Sequence, residues 1–134
     1  MRIVLCLSLL VAMVGFANAD VATDNAKAAQ NTADAFFKAI ADKDFDKYKA
    51  KCSAARVAEY EANNANAPLK KWYDSARNEI DKYGAKWEFK SVKSNMPNSI
   101  SLDYTRTMSS GATTNTIYLV KEGDKWLVDA AGAI

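Results

Sequence analysis

Histidine is absent from all 134 residues. Its absence removes every Ser-His or Cys-His nucleophile pair, imidazole acid–base catalysis and histidine metal ligation. Cysteine is almost as scarce, with only Cys6 and Cys52. Cys6 lies in a leading apolar stretch that is expected to be removed, which leaves Cys52 alone. No intramolecular disulfide is then possible, and packing has to hold the domain together. A single cysteine beside an alanine-rich helix reads as a small buried apolar residue rather than as a nucleophile or an intermolecular bridge. A glycine-rich phosphate loop and a Cys-x-x-Cys pair are also missing. Charge of one sign is not in excess: 18 Lys and Arg face 16 Asp and Glu. With no basic stripe, nucleic acid and anionic membrane are poor partners.

Beyond the N-terminus the sequence has no long apolar run, and the one at the N-terminus is short. Met1 and Arg2 carry positive charge, Ile3 to Phe16 are apolar apart from Ser8 and Gly15, and Ala17-Asn18-Ala19 offers small residues at the −3 and −1 positions of a cleavage site. This pattern is that of a secretory signal peptide over residues 1–19, with Asp20 as the first mature residue. The run is shorter than the roughly 20 residues a transmembrane helix needs. Cys6 sits inside it after Leu5, where a lipid-attachment cysteine would follow it, so lipidation is not expected. Residues 20–134 are then one domain, exported to a periplasm or secreted. The absence of an Asn-x-Ser/Thr acceptor and of paired cysteines fits the periplasm.

Along that domain the pattern is helical first. Thr23, Asp24 or Asn25 can cap a helix over 26–41 whose face is Ala29, Ala33, Phe36, Phe37 and Ile40. Asp44 can cap a short second helix burying Phe45 and Tyr48, continuing irregularly through Cys52, Val57 and Tyr60. Asn63 to Pro68 is a loop, and a third helix over 69–83 presents Leu69, Trp72, Tyr73, Ala76, Ile80 and Tyr83, stopped by Gly84. The period then becomes two. Trp87 and Phe89 alternate with polar residues, as do Ile100, Leu102, Tyr104, Arg106 and Met108, and two more strands at 115–120 and 125–130 flank Glu122-Gly123-Asp124. The layout predicts an α+β fold, helices packed on one face of a curved antiparallel sheet of about four strands.

Phe36-Phe37-Lys38-Ala39-Ile40, the Asp44-Phe45-Asp46-Lys47-Tyr48 segment, the third helix and Glu122 to Asp129 resemble the small exported proteins of the nuclear-transport-factor-2-like superfamily, in its lumazine-binding-protein-like branch. The resemblance covers nearly the whole of residues 20–134 and implies a cone-shaped, cystatin-like arrangement. Members of that superfamily include isomerases, dehydratases, ligand binders and oligomerisation domains, so fold alone assigns no activity. Its enzymes place acids and tyrosines in the cone, for which the counterparts here are Asp103, Asp129, Tyr48, Tyr104 and Tyr118. Strand alternation turns Asp103 away from Leu102 and Tyr104, and Asp129 away from Trp126 and Val128, which argues against catalysis. Asp42-Lys43-Asp44-Phe45-Asp46 opens like a calcium loop, but Lys47 and Ser53 stand where glycine and glutamate are required. Three acids at a helix start are favoured by capping and the helix dipole anyway.

The aromatic residues are the remaining signal. They supply a core and, if the cone is open, an apolar pocket with hydroxyls at its rim, lined by Phe37, Trp72, Tyr104, Tyr118 and Trp126. The leading expectation is a non-catalytic exported domain that binds a small apolar ligand or a protein partner, with no catalytic residue, metal or cofactor. An isomerase or dehydratase and a structural or inhibitor-type envelope protein are the alternatives. Both faces of the last two strands carry large apolar residues. A homodimer through the outer sheet face is therefore expected, centred on Leu119 and Leu127, or on Tyr118 and Val128 if the faces are inverted. In the competing arrangement the Val57–Tyr60 segment or Ala130 to Ile134 folds over that face.

Overall fold

The computed structural model describes residues 2–132, with side chains from Val21 onward. The expected signal segment falls outside the residues whose side chains are described. The first helix, α1, runs Arg2–Ala41 without a break, so it does not start at a cap formed by Thr23, Asp24 or Asn25. No proline or glycine interrupts 16–41 and alanine recurs throughout, so the helix has no reason to stop there. Ala29, Ala33, Phe36, Phe37 and Ile40 are all buried, as their spacing requires. The two alanines bring the α1 backbone close to the sheet. Among the described residues α1 first meets the sheet at Ala22, whose carbonyl accepts from Asn95 Nδ2 at 3.0 Å.

Lys43, with a positive φ of 58°, ends α1, and Arg77 Nη1 closes its C-terminus by donating to the carbonyls of Ile40 and Ala41 at 3.1 and 3.3 Å. Asp44 then caps α2 (Phe45–Ala50), accepting from the Lys47 backbone N–H at 3.1 Å. The expected irregular continuation is a separate helix, α3 (Ala54–Asn63), because the chain first pauses to pair with the sheet. Ser53 N donates to Val128 O and Val128 N to Lys51 O, both at 2.8 Å. Ser53 caps α3, and the Glu122 carboxylate accepts from its first N–H, that of Ala54, at 3.2 Å. A 3-10 turn at Asn64–Asn66 leads to α4 (Pro68–Tyr83), which Gly84 ends in the left-handed conformation at φ 63°.

Four strands follow, β1 (Lys86–Asn95), β2 (Ser99–Met108), β3 (Gly111–Glu122) and β4 (Lys125–Ala131), paired antiparallel in the order β1-β2-β3-β4. The protein is thus α+β, helices followed by an open four-stranded antiparallel sheet. Ile100, Leu102, Tyr104, Ile117, Leu119, Trp126 and Val128 form the buried face of the sheet against α1. Register shifts leave Lys90 and Lys93 as extra residues in β1, an edge strand, where bulges and lysines discourage pairing with another chain.

Two expectations need correction. Leu119 and Val128 are in-register partners and both face the core, at 1% and 0% exposure, so neither can centre a dimer and neither expected pair shares a face. Tyr118, Val120 and Leu127 are the residues that share the outer face. Trp72 and Tyr83 are not fully buried either; Trp72 is partly buried and Tyr83 is 46% exposed. The reason is that α4 packs chiefly against α1 and α3, so its aromatic stripe is wider than the surface that covers it.

Candidate functional site

The space between α1 and the sheet is filled by aromatic rings. Phe36 lies 4.8 Å from Tyr48, and Phe37 lies 4.9 Å from Tyr104 and 5.1 Å from Trp87, stacked on the indole at 10°. The two central tyrosine hydroxyls are already engaged. Tyr48 donates to the Leu69 carbonyl at 2.6 Å, and Tyr104 donates to Asp34 Oδ1 at 2.7 Å. Burial holds both phenols well above the ordinary tyrosine range, and for Tyr104 the hydrogen bond to Asp34 and its negative charge push the same way. Neither hydroxyl is left over to steady an oxyanion on a substrate.

The other groups considered for catalysis are equally occupied. Asp103, on the outer face, accepts from Thr116 Oγ1 at 2.7 Å. Asp129 accepts from Ser53 Oγ at 2.7 Å, with Arg56 Nε at 3.5 Å. The Cys52 thiol donates to the Tyr48 carbonyl at 3.5 Å, and burial pushes its pKa up to about 12. It remains a thiol at neutral pH, which is the inert form. Among the described residues no cluster of acids and cysteines is placed to hold a metal ion.

Of the five residues expected to line a pocket, Phe37 and Tyr104 come together. Trp126 is buried at the opposite edge of the sheet, Trp72 packs on the flank of the core from α4, and Tyr118 stands on the outer face, 45% exposed. Where Phe37 reaches the surface, a groove of about 410 Å³ opens between α1, the end of α4 and the start of β1. Phe37, Trp87 and Ile80 make its apolar surface, and Asp34, Lys86 and Glu88 are among its polar residues. The volume is within the range of small-molecule sites. Tyr104 stands behind this groove and fixes Asp34 beside it. The indole N–H of Trp87 is buried without an acceptor, a donor whose desolvation costs roughly 1–3 kcal/mol.

No family model and no curated protein matches this chain. What the groove does therefore rests on its geometry.

Sequence periodicity assigned Trp87 to a half-buried strand and overlooked Asp34 altogether. The available signal for Asp34 was its position, next to buried Ala33 and one turn before Phe37, at the border of the α1 apolar face. The ion pair of Arg106 with Glu79, at 2.8 and 2.9 Å from Nη1 to the two carboxylate oxygens, was also overlooked. It joins α4 to β2 across residues that no local pattern connects.

Proposed function

We propose that the protein is a non-catalytic binding domain, exported with removal of residues 1–19, that takes a small amphipathic ligand in the groove beside Phe37 and Trp87. One observation carries this reading: an aromatic stack lies along an open groove that charged side chains border. A flat apolar body would stack on Trp87 and Phe37, and polar groups on the ligand would meet Asp34, Glu88 and Lys86. The resemblance to the nuclear-transport-factor-2-like superfamily is in keeping with ligand binding between a helix and a sheet.

The Asp34–Tyr104 pair supports a second reading, an isomerase- or dehydratase-type enzyme in which Asp34 is the base. Tyr104 is then a positioning residue. Against it, the phenol that would have to stabilise developing charge already donates to the base itself. The expected homodimer is retained as part of the proposal, moved to the outer-face residues Tyr118, Val120 and Leu127.

Native mass spectrometry of the protein purified from its own host tests the binding reading. A bound small molecule is expected, lost from Trp87→Leu and Phe37→Leu and retained by Tyr118→Ala. Material that carries no ligand, together with no saturable binding of the apolar dye 8-anilinonaphthalene-1-sulfonate that depends on Trp87, refutes it. Turnover of a recovered ligand that Asp34→Asn abolishes would favour the enzyme.

A further inference from the structure

Away from that groove, three aromatic rings from three different helices meet at the surface. Phe45 of α2 is the hub, with its centroid 5.3 Å from Tyr60 of α3 and 5.0 Å from Tyr73 of α4. The Phe45 and Tyr73 planes stand at 84°, so the two rings form the walls of a corner. A cation already occupies that corner. Lys70 Nζ is 5.9 Å from both ring centroids, within the distance at which an ammonium is attracted to an aromatic face. A second ammonium, that of Lys49, lies 5.7 Å from the Tyr60 ring. Asp74, ion-paired with Lys70, adds a carboxylate to the corner. The Lys70 and Asp74 side chains are 31% and 56% exposed, so a solute can reach the seat.

We infer that the Phe45–Tyr73 corner, with Tyr60 alongside and Asp74 as its counter-charge, is a binding site for an organic cation of the quaternary ammonium class, and that Lys70 is its internal occupant. Two physical facts favour an exchange. A primary ammonium is compact and strongly hydrated, so it gains little by leaving water for a ring face. A quaternary ammonium holds water weakly and presents methyl groups to the rings, which is the chemistry that aromatic cages select. Lys70 loses little when displaced, because its ion pair with Asp74, four residues along α4, is a partly exposed one of the kind that contributes little, and giving it up frees the carboxylate for the incoming cation. The site is independent of the groove at Trp87 and survives its failure.

Choline chloride is the probe, titrated into the protein while the ring-proton resonances of Phe45, Tyr60 and Tyr73 are followed, with ammonium chloride at equal concentration as the comparison. Saturable shifts are expected with half-saturation on the order of 10 mM, the range open to two or three such contacts together. Lys70→Met keeps the aliphatic stem but removes the competing charge, and should tighten choline about 3–10-fold. Tyr73→Leu should weaken it by about tenfold. Three results would each overturn the assignment: shifts that never saturate, equal shifts with ammonium chloride, or a Lys70→Met protein that binds choline no better than the parent. Lys70 is partly exposed and lies outside the core, so its variant keeps the test decisive even if Tyr73→Leu folds poorly.

Discussion

Raising the pH from about 8 to about 11 acts on three buried acids together, and the domain is expected to lose about 5 kcal/mol over that interval. Cys52 ordinarily loses its proton near 9.0, yet burial holds it to about 12 in the folded chain. Tyr48 and Tyr104 are likewise held above their ordinary 10.0 by burial, and Tyr104 further by Asp34. All three folded values are raised, so the folded state binds more protons than the unfolded one throughout this range. Stability is therefore complete below the unfolded values and falls as the pH climbs towards the folded ones. Free energy changes by roughly one kcal/mol for each pH unit that a group stays protonated only in the folded chain, so Cys52 contributes about 3 kcal/mol of the loss by pH 11 and each tyrosine about 1 kcal/mol. Such a loss approaches the total stability of many small domains, commonly about 5–15 kcal/mol. Urea melts under reducing conditions at closely spaced pH values measure it directly. Two of the six tyrosines should also stay out of the tyrosinate absorbance band until the protein unfolds. Cys52→Ala should remove about half of the pH dependence, whatever it does to stability at neutral pH. Unfolding free energies that agree within about 1 kcal/mol between pH 8 and pH 11 would refute the reasoning.

Phe37→Ala, at 6% exposure and in contact with three other rings, should cost about 3–5 kcal/mol, whereas partly buried Trp72→Ala should cost less. Denaturant melts in which Trp72 proves the costlier would mean that α4 packs differently. Glu79→Gln should cost about 1–3 kcal/mol because it leaves the Arg106 guanidinium, 13% exposed, without its carboxylate, and a double-mutant cycle with Arg106 reads the coupling. A coupling near zero would make the pair ornamental. N-terminal sequencing of exported protein should begin at Asp20, and a Met1 start on exported material would end the signal-peptide proposal.

Much of the fold was legible because it is local. The five buried α1 positions, the Asp44 cap, Pro68 at the start of α4, Gly84 at its end and the switch to period two after Lys86 each follow from residues within a turn or two of one another. Capping groups and periodicity act over such distances, so a sequence displays them directly. The start of α1 was misread because a residue able to cap does not oblige a helix to begin there when the flanking sequence is equally helical.

The sequence by itself determined that histidine chemistry is excluded, that helices precede strands, and which side of α1 is buried. Only the tertiary structure decided the rest. The meeting of Asp34 with Tyr104, 70 residues apart, depends on how α1 crosses the sheet. The convergence of Phe45, Tyr60 and Tyr73 depends on the packing of three helices. The separation of Leu119 from Leu127 follows from a β3–β4 register that pairs Leu119 with Val128 and Val120 with Leu127. Within a strand, alternation says which residues share a side. It cannot say which side faces the helices, or how a bulge moves one strand's sides relative to its neighbour's, because both are settled by contacts between segments far apart in the chain.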